Sequence, residues 1–208
     1  MSRAPARRLV AVLVAAAAIA APGCGDDDDG AAATSTSQVE VVEGLPPAAS
    51  SELEPIYGAA LADLGLRLTD RGGLIDRSGG GYEPSAAGTH LALYVEPVGA
   101  RTNADYVEGI GTVAAVFGDV FERWPGLTSY DVCQEPADDG VGDVDEPLPV
   151  TQIELSAEEA AAFDWEVARS VDLVRASLAS PPGATVRVSP ALARDPAYEA
   201  IVAEAGSA

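Results

Sequence analysis

Hydrophobic and polar positions alternate along this 208-residue chain with three different periods. The first is an unbroken apolar run from Leu9 to Ala21. From Ser51 onward, apolar residues recur either every three to four positions or every second one, which predicts amphipathic helices and half-buried strands. Ser51-Glu52-Leu53-Glu54 has capping-box spacing, with Pro55 in the first turn, Ile56, Ala60 and Leu64 as an apolar stripe and Gly65 as the stop. Leu66 to Arg77 alternates weakly around glycines and predicts a strand or hairpin arm, followed by a turn at Ser78-Gly79-Gly80-Gly81. Thr89 to Glu96 is the strongest strand. Leu91, Leu93 and Val95 share one face, and Ala92 and Tyr94 share the other, as in a central strand buried on both faces.

Thr102 to Asp105 opens a second helix with the stripe Tyr106, Ile110, Val113, Phe117 and Phe121, stopped by Trp124-Pro125-Gly126. Gly109, Gly111 and Gly118 weaken that helix or let a neighbour approach closely. Leu127 to Gln134 and Val150 to Leu155 read as strands, with an acidic loop, 135–149, between them. Ser156-Ala157-Glu158-Glu159 is a second capping box. It opens a helix with Phe163, Val167, Val171, Val174 and Leu178 on one face, and Glu166 with Arg169 and Asp172 with Arg175 on the other. Pro181-Pro182-Gly183 breaks it. Ala184 to Ser189 is a short strand, and Asp195 with Pro196 starts a last helix ending near Glu204. The expectation is one α+β domain, 49–208, with an antiparallel or mixed sheet and helices on one face. From Thr89 the order strand, helix, strand, strand, helix, strand is the ferredoxin-like one, with an extra N-terminal helix and hairpin and a short C-terminal helix.

The N-terminal run has a specific setting. Arg3, Arg7 and Arg8 precede it, Ala21-Pro22-Gly23 closes it with small residues, and Cys24 follows at once, ahead of Gly25 and the aspartates Asp26 to Asp29. A charged start, a short apolar stretch and small residues at a cut site are the parts of a secretory signal. The run is too short to span a bilayer, which needs about 20 residues. With its cysteine the segment resembles the signal peptide and lipobox of a bacterial lipoprotein. The resemblance implies that residues 1–23 are a signal peptide, that Cys24 is lipidated and becomes the mature N-terminus, and that the membrane is reached through that lipid on the extracytoplasmic side. Residues 24–48, acidic and then rich in Ala, Ser, Thr and Pro, have no periodicity on which to build a core and read as a tether.

Charge narrows the partners. The formal charge is −21, and losing Arg3, Arg7 and Arg8 with residues 1–23, which hold no acid, takes it to −24. Lysine is absent and every basic side chain is arginine. Such a chain repels nucleic acid and anionic lipid and favours cationic partners. The expected partner is therefore an envelope protein or a small molecule, with no nucleic acid. Of the two cysteines, lipidation of Cys24 would leave Cys133 without a disulfide partner.

Little else carries chemistry. Cys133 lies between Asp131 and Glu135, whose charges oppose a reactive thiolate. It reads as a small buried hydrophobe, and a nucleophilic pair with His90, the one histidine, is the enzymatic alternative. Asp138, Asp139, Asp143 and Asp145 among glycines offer oxygen ligands for a divalent cation or a cationic solute, without EF-hand spacing. A solvated acidic loop is the plainer reading. Gly72-Gly73 and Gly79-Gly80-Gly81 lack the lysine and the strand-to-helix setting of a phosphate loop. No catalytic residue, metal ligand or cofactor is assigned. The expectation is a lipid-anchored, non-catalytic binding or interaction domain, with residues 78–88 and 135–149 as the loops most suited to a partner.

Overall fold

In the computed structural model, which describes residues 44–77, 88–137 and 149–207, the sheet is built around the strand Thr89–Pro97 (β3). Side chains alternate across a strand, so Leu91, Leu93 and Val95 are buried on one face and His90, Ala92 and Tyr94 turn to the other. Leu66–Leu68 (β1) and Gly73–Asp76 (β2) both run antiparallel along one side of β3. Leu68 stands opposite Val95, and Gly73 stands opposite Ala92. Four residues, 69–72, therefore face two on β3, so β1 and β2 are one edge strand interrupted by a bulge. The weak, glycine-broken alternation of Leu66 to Arg77 is its sequence trace. On the other side of β3 lies Ser129–Gln134 (β4), parallel to it. Thr151–Ser156 (β5) and Thr185–Val188 (β6) then follow, each antiparallel to its neighbour.

The class is the expected one: mixed sheet, α+β, helices on one face. The spatial order differs from the ferredoxin-like one. A split βαβ places another strand between the two joined by the helix, whereas β3 and β4 are direct parallel neighbours and β5 lies outside them. Burial explains the choice. All six residues of β4 are buried, as only an inner strand can be, whereas β5 alternates buried with half-buried positions.

The helices cover the face bearing Leu91. They are Glu54–Asp63 (α1), Asn103–Val116 (α2), Val120–Arg123 (α3), Ala157–Ala160 (α4), Ser170–Leu178 (α5) and Pro196–Ala205 (α6). Tyr57, Leu61, Ile110, Phe117, Leu173 and Val174 meet Tyr130, Val132, Ile153 and Leu155 of the sheet in one core. Burying a side chain of this size stabilises by about 1.5–3 kcal/mol. The helix expected to open at Thr102 is closed at that end by a reciprocal cap between Thr102 and Asp105 on α2, and Asp195 caps α6 with Pro196 in its first turn.

Two helices differ from expectation. No side chain caps α1. Its first turn is a 3-10 turn over Ser50–Leu53, and Ser50 rather than Ser51 makes the anchoring bond, its hydroxyl donating to Thr69 O at 2.7 Å. The buried stripe is Leu53, Tyr57 and Leu61, with Ile56 exposed. This rotation buries Tyr57, which packs on Phe117 and Trp124 with ring centroids 4.7 and 6.3 Å away. An aromatic ring outweighs Ile56 and Ala60 in area removed from water. The helix expected from Ser156 to Leu178 is two helices. Its capping box forms, yet α4 ends at Ala160. Asp164 then turns the chain on itself. Its carboxylate accepts from Glu166 N at 3.2 Å, and its carbonyl accepts from Val167 N and Ala168 N. Aspartate competes with helix in this way. Trp165 meanwhile lies against Gly118, where a Cβ would collide with the indole. Val167 and Leu178 are consequently exposed, and Arg169 pairs with Asp172 rather than Glu166.

Candidate functional site

The second face of the sheet is where polar groups gather. Register puts His90 beside Ser129, Ala92 beside Asp131 and Tyr94 beside Cys133. On β5, Glu154 stands opposite Asp131 and Gln152 opposite Cys133, and Arg187 of β6 stands opposite Gln152. Arg77 enters from the end of β2, where its backbone N–H donates to Gly88 O at 2.8 Å. Local sequence makes this face: polar residues occupy alternate positions at 129 and 131 and at 152 and 154, while Tyr130, Val132, Ile153 and Leu155 fill the core side.

His90 is the hub. Its Nδ1 lies 2.8 Å from Ser129 Oγ, and its Nε2 lies 2.8 Å from an Arg77 terminal nitrogen and 3.4 Å from Asp131 Oδ1. Arg77 also donates to Glu154 Oε1 at 2.7 Å, and Glu154 Oε2 faces Arg187 at 3.6 Å. Gln152 donates to Asp131 Oδ2 at 2.6 Å. Among the described residues Asp131 Oδ1 has no hydrogen-bond partner. Serine, histidine and aspartate in sequence of contact are the components of a nucleophile relay. Here, however, His90 is fully buried and Ser129 is 1 % exposed, so neither meets solvent.

Cys133 and His90 do not meet. Cys133 is level with Tyr94, four residues along the parallel ladder from the partner of His90, or about 13 Å at 3.3 Å per residue. The thiol is 2 % exposed. Burial pushes its pKa up, and the charges of Asp131 and Glu135 push it further in the same direction. This is the environment of an inert cysteine.

At the end of β4, Glu135 accepts from Arg71, which the bulge carries across the sheet to lie 5.2 Å above the centre of the Tyr94 ring. Burial raises the Glu135 carboxyl, against the opposing pull of Arg71. A cavity of about 390 Å³ opens there between Arg67, Arg71, Glu96 and Glu135. On the other side of the loop leaving β3, a larger crevice of about 610 Å³ lies between the end of α1 and the first turns of α2. Gly65, at φ +67°, ends α1 at its rim. Arg101 forms part of its wall, donating to Leu64 O and Asp105 O and lying over the Tyr106 ring. Asp105 and Glu108 add charge, and the lining holds no histidine, cysteine or serine.

The sequence reading singled out His90 and Cys133 but missed Arg77, Ser129, Asp131, Gln152 and Glu154. The signal was present in the alternate polar positions of β4 and β5, but joining them to Arg77 required the register. Cys24, the tether to residue 43, the glycine turn 78–81 and the acidic stretch 138–146 lie outside the described residues. Among the described residues no cluster of three metal-binding side chains occurs, and no helix is long and apolar enough to cross a membrane. No protein-family model, curated protein or solved structure matches the chain.

Proposed function

We propose that this chain is a lipid-anchored envelope lipoprotein whose folded part is a non-catalytic binding domain. Residues 1–23 direct export, Cys24 carries the lipid, and residues 24–48 hold the domain off the membrane. One lipid-modified residue with more than one acyl chain anchors firmly, because each buried methylene contributes about 0.8 kcal/mol. Confinement near the surface raises the domain's effective concentration for partners there.

The observation that carries the non-catalytic reading is the separation of reactive groups from access. His90, Ser129 and Cys133 are shut away from solvent, whereas the open crevice beside Arg101 offers charge and apolar surface without a histidine, cysteine or serine. Its volume falls within the range of about 300–1,000 Å³ typical of small-ligand sites.

Two measurements on the full chain test this. Cell fractionation of the wild type and of Cys24→Ser should find the first in the membrane and the second released. Thermal melts against calcium and a panel of small envelope solutes should then find a ligand whose shift disappears in Arg101→Gln. At 100 times its dissociation constant such a ligand adds about 2.7 kcal/mol. Membrane retention of Cys24→Ser, or a turnover abolished by Ser129→Ala, would overturn the proposal.

A further inference from the structure

We propose that the crevice beside Arg101 takes a small zwitterion, an amino acid or short peptide with both ends free, its carboxylate on Arg101 and its ammonium toward Glu108. The inference rests on the reading of that crevice as a ligand site and adds the class of ligand. Arg101 carries it. The side chain is half-buried and, among the described residues, in no ion pair, whereas Arg71 faces Glu135, Arg77 faces Glu154 and Arg175 faces Asp172. Its own contacts are neutral. It donates to Leu64 O at 3.4 Å and to Asp105 O at 3.0 Å, and it lies 5.4 Å from the centre of the Tyr106 ring. Its Nε is buried and has no hydrogen-bond partner among the described residues. Burial lowers the guanidinium pKa, against the raising effects of Tyr106, Asp105 and Glu108. A desolvated cation without a counter-ion is costly, and a carboxylate is the group whose geometry matches the guanidinium fork.

Asp105 does not supply that carboxylate. Its Oδ2 is committed to the cap, accepting from Thr102 N and Thr102 Oγ1 at 2.7 Å each. Arg101 is also set in place before any ligand arrives. A Cβ on Gly109 would run into Gln134 Oε1 and Arg101 Nη2, so this glycine lets the guanidinium settle against α2. Gln134 is fully buried, and its Oε1 is a further polar atom left unmade among the described residues, beneath the Gly109 wall of the crevice. A group held in advance loses little freedom on binding. Glu108 serves the other end of the ligand. It is exposed on the same wall, its carboxylate is in no ion pair among the described residues, and its charge reaches Arg101. Leu64, Pro97 and the exposed Val98 supply apolar surface between. A simple anion would have to approach a chain of formal charge −21, whereas a zwitterion has no net charge to be repelled.

Isothermal titration of the full chain with the dipeptide Ala-Leu, its C-terminal amide and its N-acetyl form reads both ends. Ala-Leu should bind one to one. The amide and the N-acetyl form should each bind at least about tenfold more weakly, the effect of losing one hydrogen bond to a charged group. The amide is the sharper probe, because its net positive charge is drawn to this acidic chain and only the lost carboxylate contact can weaken it. Glu108→Gln, at an exposed position, should bind Ala-Leu no better than the N-acetyl form, and Arg101→Gln should no longer prefer Ala-Leu to its amide. Equal binding of Ala-Leu and its amide to the wild type would make this a site for cations and overturn the inference. Failure of Ala-Leu to bind at all would overturn it too. If another solute still shifts the melt through Arg101, the zwitterion falls and the ligand site stands; if no solute depends on Arg101, both fall.

Discussion

Gly111 of α2 and Ser170 of α5 meet so closely that their helices share a hydrogen bond: Gly111 N donates to Ser170 Oγ at 2.8 Å. The same hydroxyl donates to Glu108 O at 2.7 Å. A Cβ at Gly111 would collide with Ser170 N and with the Arg169 carbonyl carbon. These are backbone atoms that cannot swing aside. Two effects oppose each other in Gly111→Ala. Helix propensity gains at most about 1 kcal/mol, while overpacking costs about 1–3 kcal/mol. The expected result is a net loss of stability in urea unfolding, with little change in slope. A more stable Gly111→Ala would show that the two helices are held less tightly than this contact requires.

The two ion pairs at the ends of the polar face should behave differently. Arg77 and Glu154 are 10 % and 17 % exposed, whereas Arg67 and Glu96 are 63 % and 34 % exposed. Breaking a buried pair leaves an uncompensated charge and costs about 3–5 kcal/mol, while an exposed pair contributes at most about 1 kcal/mol. Glu154→Gln should therefore destabilise far more than Glu96→Gln in the same denaturant experiment. Equal losses would contradict the burial of the network.

The cap on α2 sets a pH dependence. Bonds from the Thr102 backbone N–H and then its hydroxyl hold the Asp105 carboxyl below the ordinary aspartate range, against a small opposing effect of burial. Because the folded value is depressed, the stabilisation is present above the unfolded value of about 4. It is lost as pH falls through the folded one. Asp105→Asn should be less stable than wild type at pH 7, with the gap closing in acid. Thr102→Ala should cost about 1 kcal/mol. A gap for Asp105→Asn that does not vary with pH would mean the carboxylate charge plays no part in the cap.

Cys133 should resist alkylation near neutral pH in the folded chain and react once denatured, since burial and the neighbouring carboxylates both disfavour its thiolate. Counting modified residues by mass before and after denaturant checks this. Rapid labelling of Cys133 in the folded protein would reopen a nucleophilic role.

What was legible in the sequence depended on how local its cause was. Thr102 with Asp105, and Asp195 with Pro196, cap their helices through neighbours three residues away or closer, and both helix starts read correctly. The stripe Ile110, Val113 and Phe117 is a local period and is buried as expected. The stripe of α1 turned by one position because Tyr57 seeks Phe117, sixty residues distant. The break after Ala160 depends on Trp165 finding Gly118, a contact that no window around 160–170 contains. The polar face was half visible in the alternation of Ser129, Asp131, Gln152 and Glu154. Its centre was hidden, because Arg77 reaches His90 only across a bulge and a strand pairing that local pattern does not specify.

The most direct test of the tethered-domain proposal is the mass of the N-terminal peptide of the chain extracted from its native membrane. The expected peptide begins at Cys24, with its sulfur carrying a diacylglycerol and Asp26 to Asp29 following close behind. A chain that begins elsewhere, or a Cys24 with an unmodified thiol, would contradict it.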